Sequence, residues 1–233
     1  MLVSTSHRFI FFHIGKTGGM SLREVLQGYA EEPQKFKIRR PPETIDGKPN
    51  TLYEVWQTLL LHAKARDARR ELPKEVFDGF FKFAFVRNPW DLQVSMYHFI
   101  LREPKSSTHE QVKAAGSFEG YLDWVAKTAS PFPKGIPKLQ KDMITDTQGN
   151  LLVDFVGRYE TLARDFEKLR LRLGIETKLP HVNQSRHYDF RAYYNERTKA
   201  LVADQFQADI DMFGYRFDRY SETDNPVRPG EEI

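Results

Sequence analysis

Two short apolar runs, residues 9–14 and 80–86, are each followed by a stretch of helical periodicity, and this pairing organises the chain. Both runs are aromatic and β-branched and too short for helices, so both read as buried strands. The pattern predicts a helix over residues 19–29, a Pro- and Lys-rich loop to residue 50, helical material over 51–74, and a helix after the strand that ends at residue 86. Residues 103–116 read as a loose loop and 117–127 as a helix. In MITDTQGNLLVDFVG (143–157), two apolar segments flank a Gly turn at 147–150, which reads as strand, turn, strand. ETLARDFEKLRLRLG (160–174) is an amphipathic helix stopped by Gly174. Further on, Leu201, Val202, Phe206, Ile210 and Phe213 recur at helical spacing and form a packing face. Strands separated by helices imply an α/β fold whose central, mainly parallel sheet is flanked by helices on both faces.

The first strand runs into HIGKTGGMS (13–21). Gly15, Gly18 and Gly19 allow a sharp turn whose N–H groups, with those opening the next helix, converge on one anion. Lys16 adds a mobile positive charge, and Thr17 or Ser21 a hydroxyl. An NTPase loop of the form GxxxxGK[ST] requires a glycine six residues before Lys16, where Ile10 stands, so the full nucleoside-triphosphate motif is absent. A shorter, P-loop-like cradle suited to a 5′-phosphate remains.

The second strand ends in Arg87-Asn88-Pro89-Trp90. Pro89 ends the strand and restricts Asn88, and Asp91 lies where it could cap the new helix. Arg87 falls at the strand's C-terminal end, the edge where open α/β sheets bind ligands. Ser95 follows eight residues later, about two helical turns on, so its facing depends on how the helix starts.

These segments resemble sulfotransferases that use 3′-phosphoadenosine 5′-phosphosulfate (PAPS), specifically the carbohydrate superfamily that includes heparan sulfate 2-O- and 6-O- and chondroitin enzymes. HIGKTGGMS is similar to the 5′-phosphosulfate loop, with Gly15 in place of its usual proline and Met20 in place of its usual threonine. FAFVRNPWDLQVSMY (83–97) is similar to the 3′-phosphate motif, with Arg87 and Ser95 at its two ligand positions. Residues 151–169 and 179–217 also resemble the family, so four blocks span nearly the whole chain.

The resemblance implies in-line transfer of a sulfuryl group from PAPS to a hydroxyl, with a saccharide or glycolipid as acceptor and no metal. It places Gly15, Lys16, Thr17, Gly18, Gly19, Met20 and Ser21 around the 5′-phosphosulfate, and Arg87 and Ser95 on the 3′-phosphate. A loop carrying Ser185 and Arg186 is expected over that side of the nucleotide. By analogy with phosphoryl transfer, the protein supplies position and charge, with Lys16 at the leaving oxygen. His62, between the two phosphate motifs, is the first choice of base, because related glycan enzymes place a histidine there and imidazole titrates near neutrality. Following three leucines, it also fits a helix-face histidine. Glu54 is the reserve base.

Composition narrows the remaining choices. The 233 residues suffice for one elaborated domain, taken as 1–220 with inserted acceptor-side loops and helices, and an acidic tail over 221–233 reads as mobile. A formal charge of +3 is too mild to indicate a nucleic-acid partner but suits a doubly phosphorylated one. Basic stretches at 33–42 and 62–70 fit either an anionic glycan or solvated surface. The chain has no cysteine, no clustered metal-ligand motif, no secretory apolar segment and no apolar run of 18 residues. A soluble, cytoplasmic bacterial member without stable membrane insertion is the expectation. Two alternatives stay open: a P-loop kinase of small molecules or nucleotides, with Asp154 as its one evident metal ligand, and a non-catalytic glycan- or nucleotide-binding relative.

Overall fold

The computed structural model describes residues 1–30, 44–49, 61–179 and 189–218. Its centre is a four-stranded sheet in the order β1-β2-β5-β6, from Leu2–Ser4, Phe9–Phe12, Phe81–Val86 and Phe155–Arg158. β1 runs antiparallel to β2, whereas β2, β5 and β6 are parallel, with Phe11 opposite Phe83 and Phe83 opposite Phe155. A separate hairpin joins β3 (Thr44–Ile45) and β4 (Lys48–Pro49), turned by Asp46 and Gly47, both at positive φ.

The apolar sequence of β2, and of β5 apart from Lys82, follows from burial on both faces. Phe9 and Phe11 point to one side, against Leu22 and Leu26 of α1 (Gly19–Leu26) and Phe166 and Leu169 of a later helix, Leu162–Leu173. Ile10 and Phe12 point to the other side, where Ala65 and Ala68 of α2 (Ala65–Glu71) and Phe77 of α3 (Lys74–Gly79) pack. Beside the sheet, α4 (Pro89–Arg102), α5 (His109–Ala114) and α6 (Phe118–Lys127) follow β5, and α7 (Leu162–Leu173) follows β6. The last helices are α8 (Glu196–Gln205) and α9 (Gln207–Phe213). Trp90, Val94, Tyr121, Val125, Val202 and Phe206 join α4, α6 and α8 in a second, all-helical core. The expected α/β architecture is therefore present. Among the described residues, no helix is long and apolar enough to cross a membrane.

Four local expectations change. β1 was not anticipated, because three residues are too few to display an alternation. The segment expected as a loop over 103–116 contains α5, packed through Val112. The strand expected at the start of 143–157 is reduced to a single bridge, Thr145 to Leu151, after a 3₁₀ turn at Gln140–Met143. The apolar face from Leu201 to Phe213 is split between two helices at Phe206, whose side chain is buried at the junction.

Candidate active site

Parallel pairing brings the C-terminal ends of β2, β5 and β6 to one edge of the sheet, so the glycine loop, Arg87 and Tyr159 meet there. They border one cavity of about 470 Å3. Gly15, Lys16, Gly18, Gly19, Met20 and Ser21 line one side of it, and Arg87 and Ser95 another. Thr17 does not reach the wall: it is buried, and its hydroxyl donates to the Ile14 carbonyl at 2.9 Å, which braces the loop from below.

The loop's shape depends on two glycines. Gly18 has φ 80°, a left-handed conformation that caps α1, and a Cβ there would lie 2.9 Å from Leu162. At Gly19 a Cβ would come within 2.0 Å of the His13 ring, so only a glycine lets the start of α1 rest on that imidazole. The N–H groups opening α1 have no earlier helical turn to bond and carry the positive end of the helix dipole.

Lys16 itself has φ 65°. Its Nζ lies 4.4 Å from the centre of the Phe99 ring. Burial, reinforced by the positive charges of Arg87 and Arg102, lowers its pKa from 10.5 to about 8.

Arg87 is almost wholly buried and held from three sides. Its Nε donates to Asp91 Oδ2 at 2.7 Å, its Nη1 donates to the Lys16 carbonyl at 3.1 Å, and its guanidinium stacks 4.0 Å from the Tyr159 ring centre. Asp91 is thus Arg87's counter-ion and not the expected cap. Because Pro89 occupies the first helical position, capping falls to Asn88, whose Oδ1 accepts from the Trp90 N–H at 3.0 Å.

That helix start decides the facing of Ser95. Ser95, Phe99 and Arg102 recur at intervals of four and three residues, and all three line the cavity. Phe99 and Arg102 were not singled out in the sequence, although their spacing from Ser95 carried the signal. Tyr159, the first residue past β6, and Ile136, from an irregular loop, were missed as well. Nothing in the pattern around Ile136 indicates its place.

His62 also borders the cavity. Its Nδ1 lies 3.2 Å from the His13 carbonyl oxygen, so Nδ1 carries the proton of that bond and the lone pair resides on Nε2. Burial lowers its pKa, with the His13 hydrogen bond opposing, so the ring is neutral at neutral pH. His13 lies alongside at 5.1 Å between ring centres, its pKa lowered to about 3, chiefly by burial, and its Nδ1 has no hydrogen-bond partner among the described residues. Elsewhere on α4, His98 bonds the Tyr193 hydroxyl at 3.0 Å. Glu54, Ser185, Arg186, the basic stretch at 33–42 and the acidic tail lie outside the described residues.

Asp154 is at the wrong end of the sheet for phosphate chemistry. It precedes β6, its N–H bonds the Lys82 carbonyl, and its carboxylate sits 2.9 Å from Lys82 Nζ. That is the N-terminal end of the parallel strands, about 13 Å of strand from the edge bearing the loop.

The chain is similar to known proteins at three levels. An uncharacterized protein of Archaeoglobus fulgidus is 31% identical over 114 residues, covering 48% of this chain and 82% of that one. A crystal structure of a sulfotransferase from Alicyclobacillus acidocaldarius aligns with 91% of this chain and 97% of its own, at 16% identity and a TM-score of 0.39. The model of the sulfotransferase family matches residues 1–216, a span that includes the glycine loop, Arg87 and the cavity they share, and the chain belongs to that family.

Proposed function

We propose that the protein transfers the sulfuryl group of PAPS to a hydroxyl of a saccharide or glycoconjugate. The observation that carries this reading is the convergence of Lys16 and Arg87, from the ends of two adjacent parallel strands, on one cavity beside the N-terminus of α1. Two separate cationic points suit a ligand with phosphate at two positions. Arg87, with donors beyond those bonded to Asp91 and the Lys16 carbonyl, takes the 3′-phosphate, assisted by the Ser95 hydroxyl. The loop N–H groups and Ser21 hold the 5′ end.

In the transfer, the acceptor oxygen bonds to sulfur as the bond from sulfur to the 5′-phosphate oxygen breaks. His62 Nε2 takes the acceptor proton, since its lone pair faces no proton of its own at neutral pH. Lys16 neutralises the charge that collects on the departing phosphate oxygen, and the helix dipole adds to this. The products are a sulfated acceptor and 3′-phosphoadenosine 5′-phosphate. The saccharide assignment draws its support from the four sequence blocks that resemble carbohydrate sulfotransferases.

Calorimetric titration with 3′-phosphoadenosine 5′-phosphate, beside AMP and Mg-ATP, tests the donor. Micromolar or tighter binding confined to the 3′-phosphorylated ligand is expected, whereas preference for Mg-ATP would overturn the reading. A screen of saccharide, glycolipid and simple alcohol acceptors with labelled PAPS tests the rest.

A further inference from the structure

Arg87 is the first residue beyond β5, where the ladder to β6 has ended with Val86 opposite Arg158. Its backbone is nevertheless fully paired. The Arg87 N–H donates to Gln140 Oε1 at 2.8 Å, and Gln140 Nε2 donates to the Arg87 carbonyl at 2.8 Å. One buried amide side chain thus does what a neighbouring strand would do for the next residue of a ladder. Gln140 is fixed in turn by Asp209 of α9: the Gln140 and Lys141 N–H groups donate to the two carboxylate oxygens at 2.8 and 2.9 Å. Asp209 and Gln140 are both buried, and neither borders the cavity.

The arrangement is more specific than filling a core requires. It clamps both backbone groups of the one residue whose guanidinium is shared among Asp91, the Lys16 carbonyl and the Tyr159 ring. Arginine is a long lever, so a small rotation of the Arg87 backbone displaces its guanidinium by several times as much. Without Gln140, an N–H and a carbonyl would be left unpaired in the interior, and the chain would rotate to satisfy them.

We propose that Gln140 and Asp209 are positioning residues that hold the Arg87 backbone, so that selection of a 3′-phosphorylated ligand depends on this bracket as well as on Arg87. The inference rests on the reading of Arg87 given above. It assigns a positioning role in binding to a 3₁₀ turn and to α9, neither of which borders the cavity.

The test is the ratio of affinities for 3′-phosphoadenosine 5′-phosphate and AMP, measured by calorimetry on the wild-type chain, Gln140→Met and Asp209→Asn. Gln140→Met keeps the side chain's length and removes both bonds to Arg87. It should lose about tenfold or more in affinity for the 3′-phosphorylated ligand while AMP affinity changes by less than about threefold. Asp209→Asn, which presents an amide N–H₂ to one of the two backbone N–H groups, should move the ratio in the same direction by less, and decides the matter if Gln140→Met does not fold. A purely structural bracket would lower melting temperature without moving the ratio. A wild-type preference that survives in the folded variants overturns the proposal alone. A wild type with no preference for the 3′-phosphate overturns it together with the assignment of Arg87.

Discussion

The Arg87 guanidinium donates to the carbonyl oxygen of Lys16 at 3.1 Å, so the cation at the end of β5 holds the turn that carries the cation following β2. The same proximity sets the two charges against each other, and Arg87 is the larger of two like-charge influences that lower the Lys16 pKa. Mechanical support and electrostatic opposition are combined in one pair. An anion placed between the two residues would relieve the opposition while keeping the support.

Lys16 should therefore be a burden on the unliganded fold. Its folded pKa of about 8 lies below the ordinary 10.5, so the folded state binds fewer protons between those values. Stability consequently rises with pH across that window, and at pH 7 the buried charge costs about 1–3 kcal/mol after allowance for partial exposure. Lys16→Met, whose thioether can still rest on Phe99, is expected to raise the melting temperature at pH 7 while turnover collapses. A lower melting temperature would contradict this account of the charge.

Ligand affinity should carry the same signature. Neutral Lys16 attracts a phosphate poorly, so affinity for 3′-phosphoadenosine 5′-phosphate should fall as pH rises past about 8. Arginine stays charged throughout this range, so Lys16→Arg should show no such fall, whatever its absolute affinity. Titrations at pH 7, 8 and 9 separate the two curves, and parallel curves would remove Lys16 from the phosphate site.

Arg87→Ala should do two kinds of damage. Loss of the guanidinium frees the Lys16 carbonyl and, if Arg87 holds the 3′-phosphate as proposed, should cost roughly 10²-fold in affinity. Discrimination between 3′-phosphoadenosine 5′-phosphate and AMP should disappear. Because the loop is loosened as well, the effects of Arg87→Ala and Lys16→Met on affinity should not add. An additive double mutant would mean that the hydrogen bond between them transmits nothing.

β2, β5 and the glycine loop were legible because each depends on contiguous residues. The runs 9–14 and 80–86 are too short for helices and fit buried strands best, and Gly18 and Gly19 let the backbone turn sharply. What escaped depends on contacts across the fold. Gln140 looks like any polar residue in a loop, and only the return of α9 beneath it reveals its bracket on Arg87. Ile136 reaches Gly15 from a segment without periodicity. Asp91 stands at a spacing that allows a cap, yet a buried guanidinium four residues back claims its carboxylate. Arg102 and Phe99 stood at readable spacing from Ser95, but helical spacing acquires meaning only once one member of the face is known to meet the cavity.

Gly19→Ala tests the closest approach in the site. The added methyl would meet the His13 ring at 2.0 Å, and that ring is buried and cannot step aside cheaply. Either the imidazole or the start of α1 must move, so about 1–3 kcal/mol of stability should be lost. Because His13 also offers its carbonyl to His62, turnover should fall further than the melting temperature alone explains.

His62 offers the sharpest separation of chemistry from binding. With Nδ1–H committed to the His13 carbonyl, Nε2 is the atom left to accept a proton, and burial keeps the ring neutral below its usual range. Transfer should accordingly persist to pH values somewhat below 6.5 and fail as the imidazole gains its proton. His62→Ala should cut transfer by about 10²- to 10⁴-fold and abolish that acid limb, while affinity for 3′-phosphoadenosine 5′-phosphate stays within about threefold, since the proposed role of the imidazole is at the acceptor and not at either phosphate. Single-turnover measurement with saturating PAPS isolates the step. Undiminished transfer in His62→Ala would move the base to Glu54, and a matching loss of ligand affinity would make His62 a support of the loop instead of a proton acceptor.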